Sequence, residues 1–551
     1  MSDVFSLRPW LALYGKQPHE LHPRRDNLLD LFRDAVATAP DAAATIYFDA
    51  RLSYRELDEI TDALAAWLLD HRVGAGDRLA IILQNDPRFL IAMLAAWKIG
   101  AVPVPMNPMY RSGELQGLFE DCRPRIIFCY ANESQVVQEA VTAADIGSTL
   151  VLCNSRDFQS RDDGRVLPAP CAFPRDSISF SDVIGAGSGR KIPRLSPAGD
   201  SIGLLLYTSG TTGKPKGSMS SHHSMAFNGA ALGAWCNLNA ESRILAIAPL
   251  FHITGIVSHI GVMLACGASM ILNFRFEASS MLDAIRDTRP TYTIGAITAF
   301  IALMNVSGAS PEDFASFESI YSGGAPISPA VRTEFLKRTG KLIHPAYGMT
   351  ETTSATHLSP LGTEAPVDPV SGALAIGIPE FSTDAMVVDE HGARVPPGVA
   401  GELWLKGPQI TLGYWNKPEQ TREALVDGWM RSGDIAVMDE AGWFYLVDRK
   451  KDMIIASGFK VWPREVEDVL YTHPAVREAA VIGVPDSYRG ETVKAYVSLK
   501  PGTAVETSEL VIYCRERLAT YKAPRVVEVM DNLPKTVTGK IQRNVLRNLN
   551  R

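Results

Sequence analysis

The residues with the clearest capacity for chemistry form one short run, from Tyr207 to Gly217, with the sequence YTSGTTGKPKG. It follows an apolar stretch, residues 202–206, that the pattern predicts to be a buried strand. The glycines let backbone N–H groups converge on one point, while the hydroxyl and ammonium groups add donors and positive charge. The run therefore predicts a loop that holds a polyphosphate, in preference to a Ser/Thr/Gly-rich loop with no ligand. The predicted contact residues are Thr208, Ser209, Gly210, Thr211, Thr212, Gly213, Lys214 and Lys216.

This loop does not match the Walker A type, in which the lysine precedes Ser or Thr and opens a helix. Pro215 follows Lys214 and biases Lys214 away from helical backbone angles. Five later segments extend the pattern in a fixed order along the chain. They are YGMTE at 347–351, GWMRSGD at 428–434, DRKKD at 448–452, SGFK at 457–460 and PKTVTGK at 534–540.

Taken together, the loop and these segments resemble the signature segments of the adenylate-forming superfamily. That superfamily includes acyl-CoA synthetases, aryl-CoA ligases, luciferases and the adenylation domains of peptide synthetases. The resemblance covers nearly the whole chain and is least clear in the first 40 residues. It implies an α/β fold with a large N-terminal domain of several subdomains, residues 1–450, and a small α+β C-terminal lid, residues 451–551. The N-terminal domain would combine parallel sheets and helices with a small β-rich unit.

The implied reaction brings a carboxylate and the α-phosphate of ATP together. Two unit charges repel by about 4 kcal/mol at 4 Å when the effective dielectric constant is about 20, so cations and oriented donors must surround this point. By resemblance, Lys540 bridges the two anions, and a compact ammonium suits a shared contact. Thr350 would touch the α-phosphate. Glu351 would bind the Mg²⁺ that accompanies ATP, because Mg²⁺ prefers oxygen ligands.

The same resemblance assigns the remaining nucleotide and CoA contacts. Tyr347 would flank the adenine, and Asp434 would accept hydrogen bonds from the ribose hydroxyls, with Arg449 as a second ribose or phosphate contact. Lys451 would be the hinge about which the lid swings after adenylation, and Gly458 would let the backbone lie beside the pantetheine arm. A small-residue turn would line the adenine and the floor of the acid pocket; its members are Gly324, Ala325 and Pro326.

His252 resembles the histidine at the acyl entrance of acyl- and aryl-CoA ligases. Amino-acid adenylation domains have an aspartate there to pair with the substrate ammonium, so histidine disfavours peptide synthesis. The following residues, 253–264, are apolar and rich in small side chains, which predicts a hydrophobic acid. Medium- or long-chain fatty acids and arylalkanoic or phenylpropenoic acids are both left open. The apolar stretch 255–272 is expected to be a buried helix lining a cavity, in preference to a membrane span.

The elements that position these residues follow a strand–helix rhythm. Ser53 with Glu56 forms a capping box, and Asp86 with Pro87 marks a second helix start. Predicted strands at 78–83, at 125–130 and around Ile271 and Ile294 alternate with helices, which indicates a mostly parallel sheet. From about residue 373 the strands are short and turns frequent, and the tail reads as helices at 463–473 and 508–519 with strands at 479–483 and 494–499.

Composition excludes several classes of protein. A net charge of −7 argues against nucleic-acid binding through phosphate contacts. The seven cysteines are odd in number and contain no C-x-x-C pair, which indicates reduced thiols in a cytoplasmic protein without a zinc site. The first residues do not read as a signal peptide. A homodimer is one option for the oligomeric state, which the sequence leaves open.

The leading interpretation is an ATP-dependent acyl-CoA synthetase, with ATP, Mg²⁺, CoA and a small hydrophobic acid as its partners. One alternative is a phenylpropenoate-type aryl-CoA ligase, and another is an enzyme that passes its adenylate to a carrier protein or oxidises it as luciferases do. A catalytically silent nucleotide-binding homologue is the alternative outside enzymes. It predicts damaged motifs, yet Lys540, Glu351, Asp434 and Arg449 are all present.

Overall fold

The computed structural model describes residues 8–208, 215–449, 452–456, 459–486, 490–536 and 541–550, with side chains at all of these except 448, 449, 455, 459, 460 and 490. Most of the predicted site residues lie within these ranges. The predicted positions outside them are Ser209, Gly210, Thr211, Thr212, Gly213, Lys214, Lys451, Gly458 and Lys540. Arg449 is described by its backbone alone.

Two sheets, mostly parallel, form the centre of the described N-terminal part. The smaller has five parallel strands, in the order Val102–Pro105, Arg78–Ile82, Ile126–Tyr130, Thr149–Cys153 and Ile178–Ser179. The larger has nine strands, in the order Ile378–Pro379, Ser354–Leu358, Ile343–Met349, Ser319–Ser322, Tyr292–Gly295, Arg243–Leu245, Ser269–Leu272, Ala43–Tyr47 and Ala50–Ser53. Its inner strands are parallel, so their carboxyl ends meet at one edge, where α/β proteins bind ligands.

Helices cover these sheets and start where the local sequence predicts. Ser53 and Glu56 form the expected reciprocal capping box, and Asp86 caps a helix whose first residue is Pro87. The longer helices are Leu28–Thr38, Tyr54–Asp70, Pro87–Lys98, Ser112–Cys122, Ser134–Ala143, Phe180–Gly187, His222–Trp235, Ala278–Thr288, Ile297–Met304 and Pro329–Thr339. Shorter helical pieces lie at Pro9–Tyr14, Ala131–Glu133, Pro311–Phe314 and Thr350–Thr352.

The apolar stretch 255–272 contains a buried helix, as predicted, followed by the strand predicted around Ile271. Helical structure runs over Ile253–Gly255, Ile256–Gly261 and Val262–Cys266, and the middle piece is a π-helix. Gly267 then takes a left-handed backbone conformation (φ +68°) and ends the helix, and Ser269–Leu272 becomes a strand of the larger sheet. Apolar residues continue through both elements because both are buried, so hydrophobicity alone does not mark the break. Among the described residues, no helix combines the length and apolar character needed to cross a membrane.

The β-rich unit predicted from about residue 373 is a five-stranded sheet. Its strands are Asp384–Val388, Gly401–Lys406, Leu425–Val426, Trp429–Met438 and Phe444–Arg449, with the helix Pro418–Ala424 between them. A separate hairpin pairs Ile202–Thr208 with Lys216–Ser221 in antiparallel register. This hairpin carries the predicted phosphate loop between its strands.

The C-terminal part has its own sheet and its own apolar core, as an α+β tail requires. The strands are Ile454–Ala456, Phe459–Val461, Val476–Asp486, Gly490–Leu499 and Val526–Val529. The helices are Pro463–Tyr471, Thr507–Arg515 and Arg543–Asn548. The predicted α/β fold is therefore confirmed, while the domain boundary at 450/451 stays a prediction.

Candidate active site

The two ends of the predicted phosphate loop face each other across the hairpin. Thr208 pairs with Lys216 in the antiparallel register, and the Thr208 hydroxyl donates to the Lys216 carbonyl at 3.4 Å. The segment that follows the loop is a strand, so the loop differs from a Walker A loop, as the sequence predicts. At Gly217 a Cβ would lie 2.8 Å from Leu205 Cδ1 and 3.3 Å from the Tyr207 ring, so any larger residue would require these side chains to shift.

Tyr347 and Asp434 come from different sheets and meet side chain to side chain. Tyr347 is buried near the carboxyl end of the strand Ile343–Met349, and its hydroxyl donates to Asp434 Oδ2 at 2.7 Å. Asp434 lies on the long strand Trp429–Met438, directly opposite Arg449 on the neighbouring strand. The structure therefore brings together the three residues predicted to hold adenine and ribose. The next residue, Gly348, is tightly enclosed, since a Cβ there would lie 1.9 Å from the Ser354 carbonyl oxygen.

The small-residue turn predicted to line the adenine follows the adjacent parallel strand, Ser319–Ser322. Gly324 has φ +77°, a conformation that favours glycine, and no atom lies within 4 Å of the position that a Cβ would take there. Ala325 is half-buried and Pro326 is exposed. A Cβ on Gly323 would lie 2.8 Å from the Ala346 carbonyl oxygen, which places this turn beside the segment that carries Tyr347.

Glu351 is a buried carboxylate in the turn Thr350–Thr352, directly after the strand Ile343–Met349. Tyr414 donates its hydroxyl to Glu351 Oε1 at 2.8 Å, and the Thr411 amide donates to the Glu351 carbonyl at 2.8 Å. Burial raises the pKa of Glu351, whereas the Tyr414 hydrogen bond and the charge of Lys216 lower it. Thr350, half-buried, begins the same turn.

Lys216 completes this group of side chains. Its ammonium lies over the Tyr414 ring, 5.0 Å from the ring centroid, which is a cation–π distance. The charge of Asp434 also acts on the pKa of Glu351. The end of the phosphate loop, the predicted Mg²⁺ ligand and the predicted ribose acceptor are thus within electrostatic reach of one another. We refer to Lys216, Tyr347, Glu351, Tyr414 and Asp434 as the nucleotide cluster.

His252 begins the helix predicted to form the acid pocket wall. Its Nδ1 accepts a hydrogen bond from the Thr254 amide at 3.3 Å, so the imidazole caps the helix N-terminus. Asn85, in the connection after the strand Arg78–Ile82, fixes the approach to this helix. Its Nδ2 donates to the carbonyls of Ala246 and Ala248, both at 2.9 Å, and its Oδ1 accepts from the Leu250 amide at 2.8 Å.

The helix that follows His252 is buried and touches the strand after Glu351. The Ser258 and Ser354 hydroxyl oxygens are 2.8 Å apart, and His259 Nε2 accepts from the Ala248 amide at 3.3 Å. Burial lowers the pKa of His259 to about 3, so the imidazole is neutral. This helix therefore presents an uncharged interior and is joined by a hydrogen bond to the segment that carries Glu351.

Lys540 lies outside the described residues, but described residues on either side of it make contacts within the C-terminal part. The Gln542 amide donates to the Pro534 carbonyl at 2.8 Å. Arg543 Nη2 donates to both carboxylate oxygens of Glu467, at 2.8 and 2.7 Å, and Arg543 Nε donates to Glu467 Oε1 at 3.1 Å. Asp452 accepts from Arg543 Nη1 at 3.2 Å. The described residues before and after Lys540 are thus bonded to each other and to the helix that carries Glu467.

Tyr414 is the residue of the nucleotide cluster that sequence reasoning missed. It lies in TLGYW, residues 411–415, which has no regular secondary structure over most of its length. The contacts that place it, with Lys216 and Glu351, join positions far apart in the chain. The one local signal is an aromatic pair after a glycine, which is too common to indicate a site.

Comparison with known proteins shows which family the chain resembles. Residues 32–415 match the family model described as AMP-binding enzyme, and residues 465–540 match its C-terminal domain. The long-chain-fatty-acid–CoA ligase of Bacillus subtilis (strain 168) is 36% identical, covering 98% of each chain. A feruloyl-CoA synthase from Amycolatopsis sp. is 34% identical, covering 92% of this chain and 96% of the relative. The structure of the anthranilate CoA ligase AuaEII in complex with anthranoyl-AMP superposes with a TM-score of 0.85 at 25% identity, covering 98% of each chain.

Proposed function

Because this chain belongs to the family of AMP-binding enzymes, we propose that it is an acyl-CoA ligase that activates a long-chain, hydrophobic carboxylic acid. In the first step the acid carboxylate attacks the α-phosphorus of ATP, and pyrophosphate leaves. In the second step the CoA thiol attacks the acyl carbon, and AMP leaves. The observation that carries this proposal is the nucleotide cluster, in which Tyr414 contacts both Lys216 and Glu351 and Tyr347 contacts Asp434.

Each side chain of the cluster has a role that its chemistry supports. Lys216, with Thr208 at the other end of the loop, would hold the phosphates. Tyr347 would lie against the adenine, and Asp434, oriented by the Tyr347 hydroxyl, would accept from the ribose. The turn at Gly324, Ala325 and Pro326 leaves open space for the base.

The residues present fit a magnesium ion. Glu351 offers carboxylate oxygens, and Tyr414 binds Oε1. No group of three or more acidic, histidine or cysteine residues that could hold a metal occurs in the described ranges. A single carboxylate suits Mg²⁺, which is commonly held by one or two carboxylates and by substrate phosphates. When bound, the ion would supply positive charge against the phosphates of ATP.

The remaining predicted roles rest on the resemblance and on the anchoring of the C-terminal segment. Lys540 would bridge the carboxylate and the α-phosphate, with Thr350 beside it, and His252 would stand at the acid entrance. Lys451 would be the hinge of a C-terminal lid, residues 451–551, and Gly458 would then border the pantetheine arm. Arg449 and the loop residues 209–214 stay predicted nucleotide contacts.

A fatty acid is the first candidate substrate because the helical segment over 253–264 is buried and largely apolar and its histidine, His259, is neutral. The 36% identical relative named for long-chain fatty acids supports the same choice. A phenylpropenoic acid is the second candidate, because the 34% identical relative is a feruloyl-CoA synthase.

The test is a panel of carboxylic acids with ATP and Mg²⁺, followed by pyrophosphate release. We expect release with fatty acids of long chain and little with acetate, ferulate or amino acids. AMP should then be released only when CoA is added. Release with ferulate and not with fatty acids would select the second candidate, and no release with any acid would refute the proposal. A cytoplasmic location and a homodimer stay predictions, for fractionation and sedimentation to test.

A further inference from the structure

Tyr414 lies where its side chain can act on two groups of the proposed ATP site at once. Its backbone is fixed beside the strand Lys216–Ser221. The Trp415 amide donates to the Gly217 carbonyl at 2.7 Å, and the Met219 amide donates to the Gly413 carbonyl at 2.9 Å. The Tyr414 amide itself donates to the Thr421 hydroxyl at 2.9 Å. Hydrogen bonds of residues 413–415 to the strand Lys216–Ser221 and to Thr421 thus fix the backbone from which the Tyr414 side chain projects.

The glycine before it shows how closely this segment is packed. Gly413 has φ +122°, and a Cβ there would lie 2.4 Å from Thr421 Cγ2. Only glycine tolerates both the backbone conformation and the contact. The position of Tyr414 is thus built into the fold.

The two ends of the Tyr414 side chain serve different partners. The hydroxyl donates to Glu351 Oε1 at 2.8 Å, and the ring face lies under the Lys216 ammonium at 5.0 Å. Lys216 and Glu351 influence each other electrostatically, yet they form no ion pair among the contacts of the described residues. The Tyr414 ring makes a cation–π contact with Lys216, while the Tyr414 hydroxyl donates a hydrogen bond to Glu351.

The Glu351 carboxylate and the Lys216 ammonium both contact the Tyr414 side chain, and without that side chain between them they could pair with each other. An ion pair between them would occupy the oxygen that a metal needs and the charge that a phosphate needs. We propose that Tyr414 is a positioning residue that holds Glu351 for the magnesium ion and keeps Lys216 available for the phosphates of ATP. This inference rests on the proposed function, because it assigns Glu351 and Lys216 to the ATP site.

Two substitutions separate the two contacts. Tyr414→Phe removes the hydroxyl and keeps the ring, so we expect the half-saturating Mg²⁺ concentration for pyrophosphate release to rise about tenfold, as for one lost hydrogen bond to a charged group. The KM for ATP should change little at saturating Mg²⁺. Tyr414→Leu removes both contacts and should also raise the KM for ATP. Tyr445→Phe is the matched control, because Tyr445 is buried and donates to the Asp439 carboxylate at 2.8 Å.

A second readout does not depend on turnover. The unfolding temperature of the full chain with α,β-methylene-ATP is measured while Mg²⁺ is titrated. We expect the Mg²⁺ midpoint of the thermal shift to rise about tenfold in Tyr414→Phe and to stay unchanged in Tyr445→Phe. An unchanged midpoint in Tyr414→Phe would overturn the inference. If no acid released pyrophosphate from the wild type, the proposed function would fail while this titration still reported on Tyr414.

A third comparison, in a Glu351→Gln background, separates a loss of the hydroxyl contact from a general loss of folding in Tyr414→Phe. In a Glu351→Gln background the hydroxyl no longer has a carboxylate to hold, so adding Tyr414→Phe should leave the Mg²⁺ midpoint where Glu351→Gln alone puts it. A further tenfold rise in the double variant would show that Tyr414 acts by another route, and the inference would be wrong.

Discussion

The contact between Tyr347 and Asp434 gives the sharpest test of the proposed nucleotide site. Tyr347→Phe keeps the ring that would lie against adenine and removes only the hydroxyl that donates to Asp434 at 2.7 Å. A hydrogen bond to a charged group contributes about 1.5–3 kcal/mol. Asp434 is only half-buried, so we take about 1.5 kcal/mol, the lower end. That value is about a tenfold change in an equilibrium constant.

We therefore expect Tyr347→Phe to raise the KM for ATP about tenfold with little change in kcat. Asp434→Ala removes the ribose acceptor itself and should lower kcat/KM for ATP by about a hundredfold, as for two lost hydrogen bonds. Because the Tyr347 hydroxyl acts through Asp434, the double variant should be no worse than Asp434→Ala alone. The assay is pyrophosphate release at varied ATP and saturating acid, with Tyr445→Phe as control.

The double-mutant cycle tests whether the Tyr347 hydroxyl acts through Asp434, because it isolates the coupling free energy between the two side chains. A coupling of about 1.5 kcal/mol is expected. If the two effects simply added, the Tyr347 hydroxyl would not orient Asp434 for the nucleotide. If neither variant changed the KM for ATP, this pair of strands would not be the ribose site.

Three further outcomes are expected. Lys540→Ala should lower adenylate formation by at least about a hundredfold while thioester formation from prepared acyl-AMP survives better, and equal loss in both half-reactions would contradict its role. Burial raises the pKa of Glu133 from its ordinary 4.5 to about 7, so its contribution to stability is complete below pH 4.5 and is lost as pH rises through about 7. Glu133→Gln should therefore be more stable than the wild type at pH 8 and not at pH 4.5 in urea unfolding, and the same difference at both pH values would refute this. Gly348→Ala should lower the free energy of unfolding by at least about 2 kcal/mol, because its Cβ would lie 1.9 Å from the Ser354 carbonyl oxygen, and an unchanged urea midpoint would contradict the close approach.

Sequence reasoning predicted those parts of the fold that short-range rules control. The capping box at Ser53 and the helix start at Asp86 each depend on a side chain bonding to backbone within three residues. The strand–helix alternation predicted the parallel sheets for the same reason, since it depends on periodicity within each segment. The end of the helix at Cys266, before the strand predicted around Ile271, was not located because the left-handed Gly267 interrupts a stretch whose hydrophobicity continues without a break.

The sequence predicted the segments that contribute to the site, but not the contacts between them. The segments around Tyr347, Glu351 and Asp434 were identified in sequence, but their mutual contacts depend on how two sheets meet. Tyr414 shows the limit, because its partner Lys216 is on a hairpin nearly 200 residues earlier, and no local pattern connects the two. Pairing between distant segments is a property of packing and has no short-range signature.

Asn85 has a consequence for how acid selectivity could change. This buried amide makes three hydrogen bonds to the chain between Ala246 and Leu250, which leads into the helix at His252. The proposed acid entrance is therefore tethered to a strand connection of the other sheet. Mutations around Asn85 could shift that entrance and retune which acids enter, leaving the ATP chemistry intact. Engineering or natural drift of substrate range thus has a route that begins outside the catalytic residues.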